Sequence, residues 1–202
     1  MPMKKLLAIL SVSMLLLSAG CKQDDEVLPR QKQSIVSFLT GSHSPRLIAE
    51  EDLAASIDVD PPYYTVSGNT VYRYIANIYD ADRPSRPEVG RRSRVTVTYR
   101  AYLFENRAID ARTMPYDSND PALAEALYEA GLTPGAWVFE PLVVEMDGGG
   151  IINGLRQALL GCRKGDVVEA YMTYNMAYGD ENFGIVPLES PVAWFFTVDD
   201  VE

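Results

Sequence analysis

The chain of 202 residues carries 28 acidic and 18 basic side chains, a formal net charge of −10 at pH 7. An acidic protein repels the phosphate backbone, so nucleic acid is not expected as a partner. The single histidine, His43, and the absence of CxxC and HExxH motifs argue against zinc sites and Ser-His-Asp hydrolases, and DVDPP at 58–62 is too short for a calcium loop. Neither a metal nor a cofactor is therefore expected.

The first residues have the pattern of a secretory signal. Lys4 and Lys5 precede an apolar run at 6–17, and small residues lead from that run to Cys21. The run is shorter than the roughly 20 residues that a membrane-spanning helix needs. Residues 1–20 are therefore predicted to be a cleaved signal peptide.

The sequence LLLSAGC, which ends at Cys21, resembles a bacterial lipoprotein box, in which the cysteine becomes the first mature residue and carries the lipid. The acidic run KQDDE at 22–26 resembles the signal that follows this cysteine in surface-exposed lipoproteins of the Bacteroidetes. These resemblances imply a lipid anchor on Cys21 that attaches the protein to the outer membrane, at its periplasmic face or at the cell surface. An ordinary secreted protein with a chance cysteine remains the alternative.

Residues 21–60 are expected to link the lipid to the folded domain. The polar stretch 22–33 is interpreted as a tether, followed by short helices near 34–39 and 49–57. With Cys21 lipidated, Cys162 has no partner for an intramolecular disulfide and is predicted to be a buried, unreactive side chain. The domain itself is expected over residues 61–202.

Strand patterns begin at residue 63. The segments YYTV, VYRYIANIY and RVTVTYRAYLF, the last at 94–104, are rich in β-branched and aromatic residues. Alternation in the third segment places Tyr99 on the face that carries Val95 and Val97, so Tyr99 is expected to point inward. A turn at 105–106 then leads into a predicted strand at 108–110.

The second half predicts helices between further strands. Residues 111–136 are expected to contain an extra helix, with Asp120 as N-cap, Pro121 in the first turn and Gly131 at the C-terminal end. Strands are predicted at 137–146, 167–173 and 192–198. The glycines at 148–150 lead into a short helix with an apolar face formed by Leu155, Leu159 and Cys162. One short helix among antiparallel strands predicts an α+β domain.

Three separated blocks are similar to the FKBP-type peptidyl-prolyl isomerases. The blocks are VTVTYRAYLFENRAID (95–110), GGIINGLRQALLGCRKGD (149–166), and AYGDENFGIVP (177–187) followed by SPVAWFF (190–196). The resemblance covers residues 71–202. It implies an antiparallel curved sheet wrapped around one short α-helix, with the helix in 111–136 as an addition that could cover or extend the substrate site.

The resemblance also implies a pocket for a proline-containing segment. Its catalytic residues would be Asp110, Tyr178 and Ile152, the last through its backbone N–H. The substrate-binding positions that carry over are Tyr99, Ile109, Leu142, Ile151, Leu155, Phe183, Ile185, Val186 and Trp194. Since Ile109, Leu142 and Leu155 stand where the family commonly has aromatic residues, the pocket is expected to be less aromatic.

The implied activity is cis-trans isomerisation of prolyl bonds during the folding of secreted or surface proteins. Rotation about an amide makes no covalent bond and transfers no proton, so an apolar pocket can suffice. Two alternatives remain open. One is a catalytically weak chaperone or peptide-binding module with the same pocket; the other is a subunit of an uptake complex that keeps the fold as a scaffold.

Overall fold

The computed structural model describes residues 21–41, 46–56, 60–132 and 137–202, so the predicted signal peptide lies outside the described residues. Within these ranges the strands are β1 (Leu47–Ile48), β2 (Tyr63–Val66), β3 (Val71–Ile75), β4 (Arg94–Leu103), β5 (Asp117–Ser118), β6 (Leu142–Glu145), β7 (Val167–Met172) and β8 (Val192–Val201). The helices are α1 (Cys21–Gly41), α2 (Pro121–Glu129) and α3 (Asn153–Leu159), with 3-10 turns at Glu50–Ser56, Arg83–Ser85 and Tyr174–Met176.

The strands form one sheet in the order β1-β2-β3-β7-β8-β4-β5, and β6 pairs with β4 beside β5. The long strands β4 and β8 are paired over nearly their whole length. The neighbours are antiparallel except at the edge, where β1 runs parallel to β2. This sheet with its few helices confirms the expected α+β fold, and β1 adds a parallel pair to it.

The main core lies between α3 and one face of the sheet. Val95 and Val97 of β4 are fully buried there, as the alternation predicts, and they belong to one apolar cluster with Leu155, Leu159 and Cys162. Burial raises the pKa of the Cys162 thiol to about 11. The thiol is therefore protonated at neutral pH, which agrees with the expectation of an unreactive side chain.

Helix α3 is fixed at its C-terminal end by Arg73 of β3, whose side chain is almost completely buried. Its guanidinium donates to the carbonyl oxygens of Ala158 at 2.9 Å and Leu160 at 2.6 Å, and to the Tyr64 hydroxyl at 2.7 Å. A cation at this end also interacts favourably with the helix dipole. The buried arginine thus sets the axial position of α3, whose opposite end forms part of the candidate site.

Helix α1 covers the other face of the sheet with its last turns, and it includes the stretch 22–33 that was interpreted as a tether. Ile35, Phe38 and Leu39 of α1 are buried in a second apolar cluster with tyrosines of β2, β3 and β7. The helix extends back without interruption to Cys21 and includes Pro29. Packing of its last turns against the sheet therefore supports helix formation through a polar stretch that the sequence pattern alone did not favour.

The polar part of α1 also contacts the loops at one end of the sheet. The Gln31 side chain accepts a hydrogen bond from the Tyr174 N–H at 2.9 Å and donates one to the Glu189 carbonyl at 2.7 Å. These two residues lie on either side of the loop 177–188. Gln31 therefore holds together the two ends of that loop, which carries Tyr178.

One strand lies at a different position from the predicted one, and the helix predicted within 111–136 is present. Residues 108–110 form no strand; β5 lies seven residues later and pairs with Arg100 and Ala101 of β4. The Asp120 carboxylate caps α2 by accepting from the Ala122 N–H at 2.9 Å, and Gly131 adopts the left-handed φ of 72° just after the helix.

Among the described residues, no helix combines the length and hydropathy that crossing a bilayer requires.

Candidate functional site

A cavity of about 490 Å³ opens where β4 and β5 meet the N-terminal end of α3 and the loop after β7. A volume of this size is typical of small-ligand sites. The structure brings eight of the sequence-predicted site residues to this cavity. They are Tyr99, Leu142, Ile151, Ile152, Leu155, Tyr178, Phe183 and Trp194.

The floor of this pocket is apolar and aromatic. Trp194 and Leu155 are almost completely buried in the core, yet both line the open cavity. The Trp194 ring stacks on the Tyr99 ring with centroids 4.5 Å apart and planes 20° apart. Two large side chains with one fixed relative orientation give the pocket a rigid floor.

The aspartate that lines the pocket in this structure is Asp117, whereas Asp110, for which the resemblance implied a catalytic role, lies elsewhere. The Tyr99 hydroxyl donates to the Asp117 carboxylate at 2.7 Å, and both residues line the pocket. Asp110 is exposed outside it, where its carboxylate accepts from the Arg112 N–H at 2.8 Å and from the Thr113 hydroxyl at 3.2 Å in a local turn. Since β4 ends at Leu103 and β5 begins at Asp117, Asp110 lies within the loop that joins the two strands.

Ile109 is likewise outside the pocket, since it packs against the second apolar cluster under α1. The aromatic residue directly before the pocket aspartate is Tyr116. Its hydroxyl accepts from the Trp194 indole N–H at 2.9 Å and shares a hydrogen bond of 3.1 Å with the Tyr178 hydroxyl. Tyr116 therefore contacts two aromatic residues of the pocket from behind, although its own ring lines the neighbouring cavity.

The three apolar residues of the loop after Tyr178 that were predicted to bind substrate lie in three different environments. The Phe183 ring stacks on the Tyr178 ring, with centroids 4.3 Å apart and planes 6° apart, and lines the pocket. Val186 is buried in the core, and Ile185 is exposed and lies outside the pocket. Reciprocal backbone hydrogen bonds between Phe183 and Val186 close a tight turn in which Gly184 has a φ of 57°. Of these three residues, only Phe183 lines the pocket in this structure, and substrate binding by Ile185 and Val186 stays a prediction.

Two hydrogen-bond donors are available at the rim. Ile152 is the N-cap residue of α3, and its N–H donates to no acceptor among the described residues. Burial raises the pKa of the Tyr178 hydroxyl, which is therefore protonated at neutral pH. When Tyr116 donates its proton to Tyr178, the Tyr178 proton is free to point towards a carbonyl in the pocket.

The helix α2 lines neither the pocket nor the cavity beside it. That second cavity, of about 470 Å³, is formed by residues 103–116, which precede β5, together with Ile185 of the loop 177–188. The surface beside the pocket is therefore formed by the loop between β4 and β5 and not by the inserted helix. In the described ranges, no group of three or more histidine, cysteine, aspartate or glutamate side chains is arranged to hold a metal ion.

Comparison with known proteins shows one similarity, which is confined to part of the chain. Residues 138–198 match the family model of the FKBP-type peptidyl-prolyl cis-trans isomerases, and no curated protein matches the chain significantly. The matched residues include β6, α3, β7, the loop 177–188 and most of β8. Tyr99, Tyr116 and Asp117 lie outside the match, and the sheet places them against Trp194 and Tyr178 inside it. The matched part of the chain is therefore similar to this family, and the α+β fold of the whole described chain is consistent with that similarity.

Proposed function

We propose that this protein is an active peptidyl-prolyl cis-trans isomerase that assists the folding of proline-containing polypeptides at the cell envelope. The observation that carries the proposal is the composition of the pocket. A rigid floor of Trp194 and Leu155 lies below two hydrogen-bond donors, the Ile152 N–H and the Tyr178 hydroxyl. This combination suits an uncharged ring attached to a backbone carbonyl, which is the structure of a prolyl segment.

The proposed mechanism uses the environment of the amide and no covalent step. The planar amide is stabilised by resonance with charge separation, and rotation faces a barrier of about 18–20 kcal/mol. The apolar floor solvates the planar, more polar amide poorly, so the twisted state with its weaker dipole is favoured relative to it. A pocket that lowers the barrier by about 5 kcal/mol accelerates exchange by nearly four powers of ten.

The polar groups of the pocket orient the amide. The Ile152 N–H and the Tyr178 hydroxyl hold substrate carbonyls, while Asp117 takes the role expected of Asp110. Its carboxylate is fixed by the Tyr99 hydroxyl and faces the rotating bond from the pocket wall. These groups hold the substrate polypeptide on one side of the prolyl amide bond. The part on the other side of the bond is then free to rotate.

A protease-coupled isomerisation assay tests this activity on residues 21–202, which contain every described element of the fold. The double variant Ile151→Ser/Tyr178→Phe alters two partly exposed pocket residues and is expected to lower kcat/KM at least about tenfold, the effect of losing about 1.4 kcal/mol. The control is Tyr128→Phe, since Tyr128 is exposed on α2 away from the pocket.

Equal rates for the wild type and the double variant would contradict the isomerase proposal. If the wild type also suppressed aggregation of an unfolded client without prolines, the chaperone alternative would be favoured. The observation that supports the chaperone alternative is the exposed ring of Phe183, which adds apolar surface at the pocket mouth.

We also propose that the protein is attached to the outer membrane through a lipid on Cys21. The support is the apolar run before Cys21 and the resemblance of LLLSAGC to a lipoprotein box. Since α1 begins at Cys21, the anchor would join the helix directly, without a flexible tether. In cell fractionation, Cys21→Ser of the full chain is expected to move the protein from the membrane to the soluble fraction. Cys162→Ser serves as the control, and retention of both variants in the membrane would argue against lipidation at Cys21.

A further inference from the structure

Helix α1 contacts the candidate site through Gln31, although it packs on the opposite face of the sheet. The Gln31 side chain accepts from the Tyr174 N–H at 2.9 Å and donates to the Glu189 carbonyl oxygen at 2.7 Å. Its amide therefore lies between the two segments that flank the loop 177–188. Since α1 is outside residues 138–198, these bonds connect the part of the chain that matches the family model to a helix beyond it.

Gln31 lies on a part of α1 that is packed against the sheet. Ile35 follows one turn later on the same face of the helix and is completely buried among aromatic residues of the strands. Gln31 itself is partly buried, so water competes less for its amide than it would at an exposed position. The two hydrogen bonds of Gln31 thus connect the loop to the sheet through α1.

Tyr174 extends this constraint to the pocket. Its carbonyl oxygen accepts from the Ala177 N–H and from the Gly179 N–H, each at 2.9 Å. Tyr178 lies between these two residues, so its backbone is fixed to Tyr174 on both sides. The Tyr178 side chain lines the pocket from this fixed segment.

Glu189 constrains the same segment from the other end of the loop. Its N–H donates to the Gly179 carbonyl oxygen at 2.9 Å, while its own carbonyl oxygen accepts from Gln31. The φ of Glu189 is 54°, a left-handed conformation that is uncommon for a residue with a side chain. Such a conformation persists only where its surroundings hold it. Loss of Gln31 removes one of the two backbone hydrogen bonds that hold it and lets the turn relax.

We propose that Gln31 is a positioning residue of the isomerase site, which fixes the Tyr178 hydroxyl for the substrate carbonyl through Tyr174 and Glu189. The inference rests on the proposed function, because it assumes that Tyr178 donates to the substrate. A displacement of about 1 Å at a reacting group can lower a rate by up to about a hundredfold. Helix α1 is then needed for catalysis as well as for covering the far face of the sheet.

The variant Gln31→Met tests the inference in the predicted mature chain, residues 21–202. Methionine keeps the length and helix propensity of glutamine but removes both hydrogen bonds. We expect kcat/KM for a short prolyl peptide to fall about tenfold, since the hydroxyl is no longer held in place. The matched control is Gln33→Met, because Gln33 is exposed on the same helix and its side chain has no hydrogen-bond partner among the described residues. It should keep the wild-type rate.

A double-mutant cycle separates positioning of the hydroxyl from a general loss of structure. Gln31→Met is combined with Tyr178→Phe, which lacks the hydroxyl that Gln31 positions. In that background Gln31→Met is expected to change kcat/KM by less than about twofold, because no hydroxyl remains to be displaced. Amide hydrogen exchange at Gly179 and Glu189 should also be faster in Gln31→Met than in Gln33→Met.

The outcomes separate this inference from the proposed function. If the wild type isomerises the peptide and Gln31→Met retains the full rate, the inference is wrong and the proposed function stands. An equal loss with and without the Tyr178 hydroxyl would also overturn it, since Gln31 would then act on the fold as a whole. Unchanged exchange at Gly179 and Glu189 would likewise contradict it. If the wild type isomerises no prolyl peptide, the proposed function fails and the inference fails with it.

Discussion

Asp117→Ala is expected to lower kcat/KM for a prolyl peptide by about ten- to a hundredfold, since a hydrogen bond to a charged group contributes roughly 1.5–3 kcal/mol. The substitution removes the carboxylate from the pocket wall and leaves the buried Tyr99 hydroxyl without the acceptor it has at 2.7 Å. Loss of the acceptor also loosens the pocket floor, because the Tyr99 ring stacks on the Trp194 ring. Initial rates of isomerisation at several substrate concentrations provide the measurement.

The matched variant is Asp110→Ala, which makes the same change seven residues earlier in the loop. Asp110 is exposed and its carboxylate forms only local hydrogen bonds, so activity on a short peptide is expected to stay within about twofold, the range of an ordinary surface substitution. Thermal unfolding of both variants controls for loss of structure. A larger effect at Asp110 than at Asp117 would support the catalytic role of Asp110 that the resemblance implied.

Sequence reasoning failed at this aspartate for a definable reason. The resemblance implied an aspartate at position 110, which assumes a loop of fixed length after β4, whereas a loop between paired strands tolerates insertions at small cost. The pocket depends on β5 pairing with Arg100 and Ala101, and that pairing is preserved wherever the loop ends. The adjacent pair Tyr116-Asp117 retained the expected order of an aromatic residue before an aspartate, and it could have identified the correct position.

Residues whose positions depend on local periodicity were predicted correctly. Tyr99 follows from strand alternation and Leu155 from the apolar face of α3, and both lie at the pocket. The loop 177–188 was harder, because three apolar residues in a turn have no periodicity that separates core from surface. The backbone bonds between Phe183 and Val186, which orient them differently, depend on the conformation of Gly184.

The helix α1 illustrates a second limit of sequence reasoning. Its first half is polar and contains Pro29, features that are typical of a linker. The helix is stabilised by tertiary contacts of Ile35, Phe38 and Leu39 with the far face of the sheet. Those contacts depend on aromatic residues of β2, β3 and β7 that are distant in sequence. No local pattern could have indicated that this face of the sheet is covered.

Gly154→Ala is expected to lower the free energy of unfolding by about 2 kcal/mol, or roughly 4–8 °C in the melting temperature. A Cβ at this position of α3 would lie 2.3 Å from the Met172 sulfur and 2.8 Å from the Met176 carbonyl oxygen. The methionine side chain can rotate away, but the carbonyl belongs to the backbone and can move only with its loop. Alanine in place of glycine ordinarily stabilises a helix by about 1 kcal/mol, so a net loss requires the close approach that the structure contains.

Activity should fall together with stability in this variant. Met176 lies two residues before Tyr178, and α3 begins directly after Ile152, so separating α3 from the loop moves both donors of the pocket apart. The control is Gly149→Ala, since a Cβ there meets no atom within 4 Å. Calorimetry and isomerisation rates of the two variants are compared with those of the wild type. An unchanged or higher melting temperature for Gly154→Ala would mean that α3 does not approach this loop so closely, and the position of the Ile152 N–H opposite Tyr178 would then have to be abandoned.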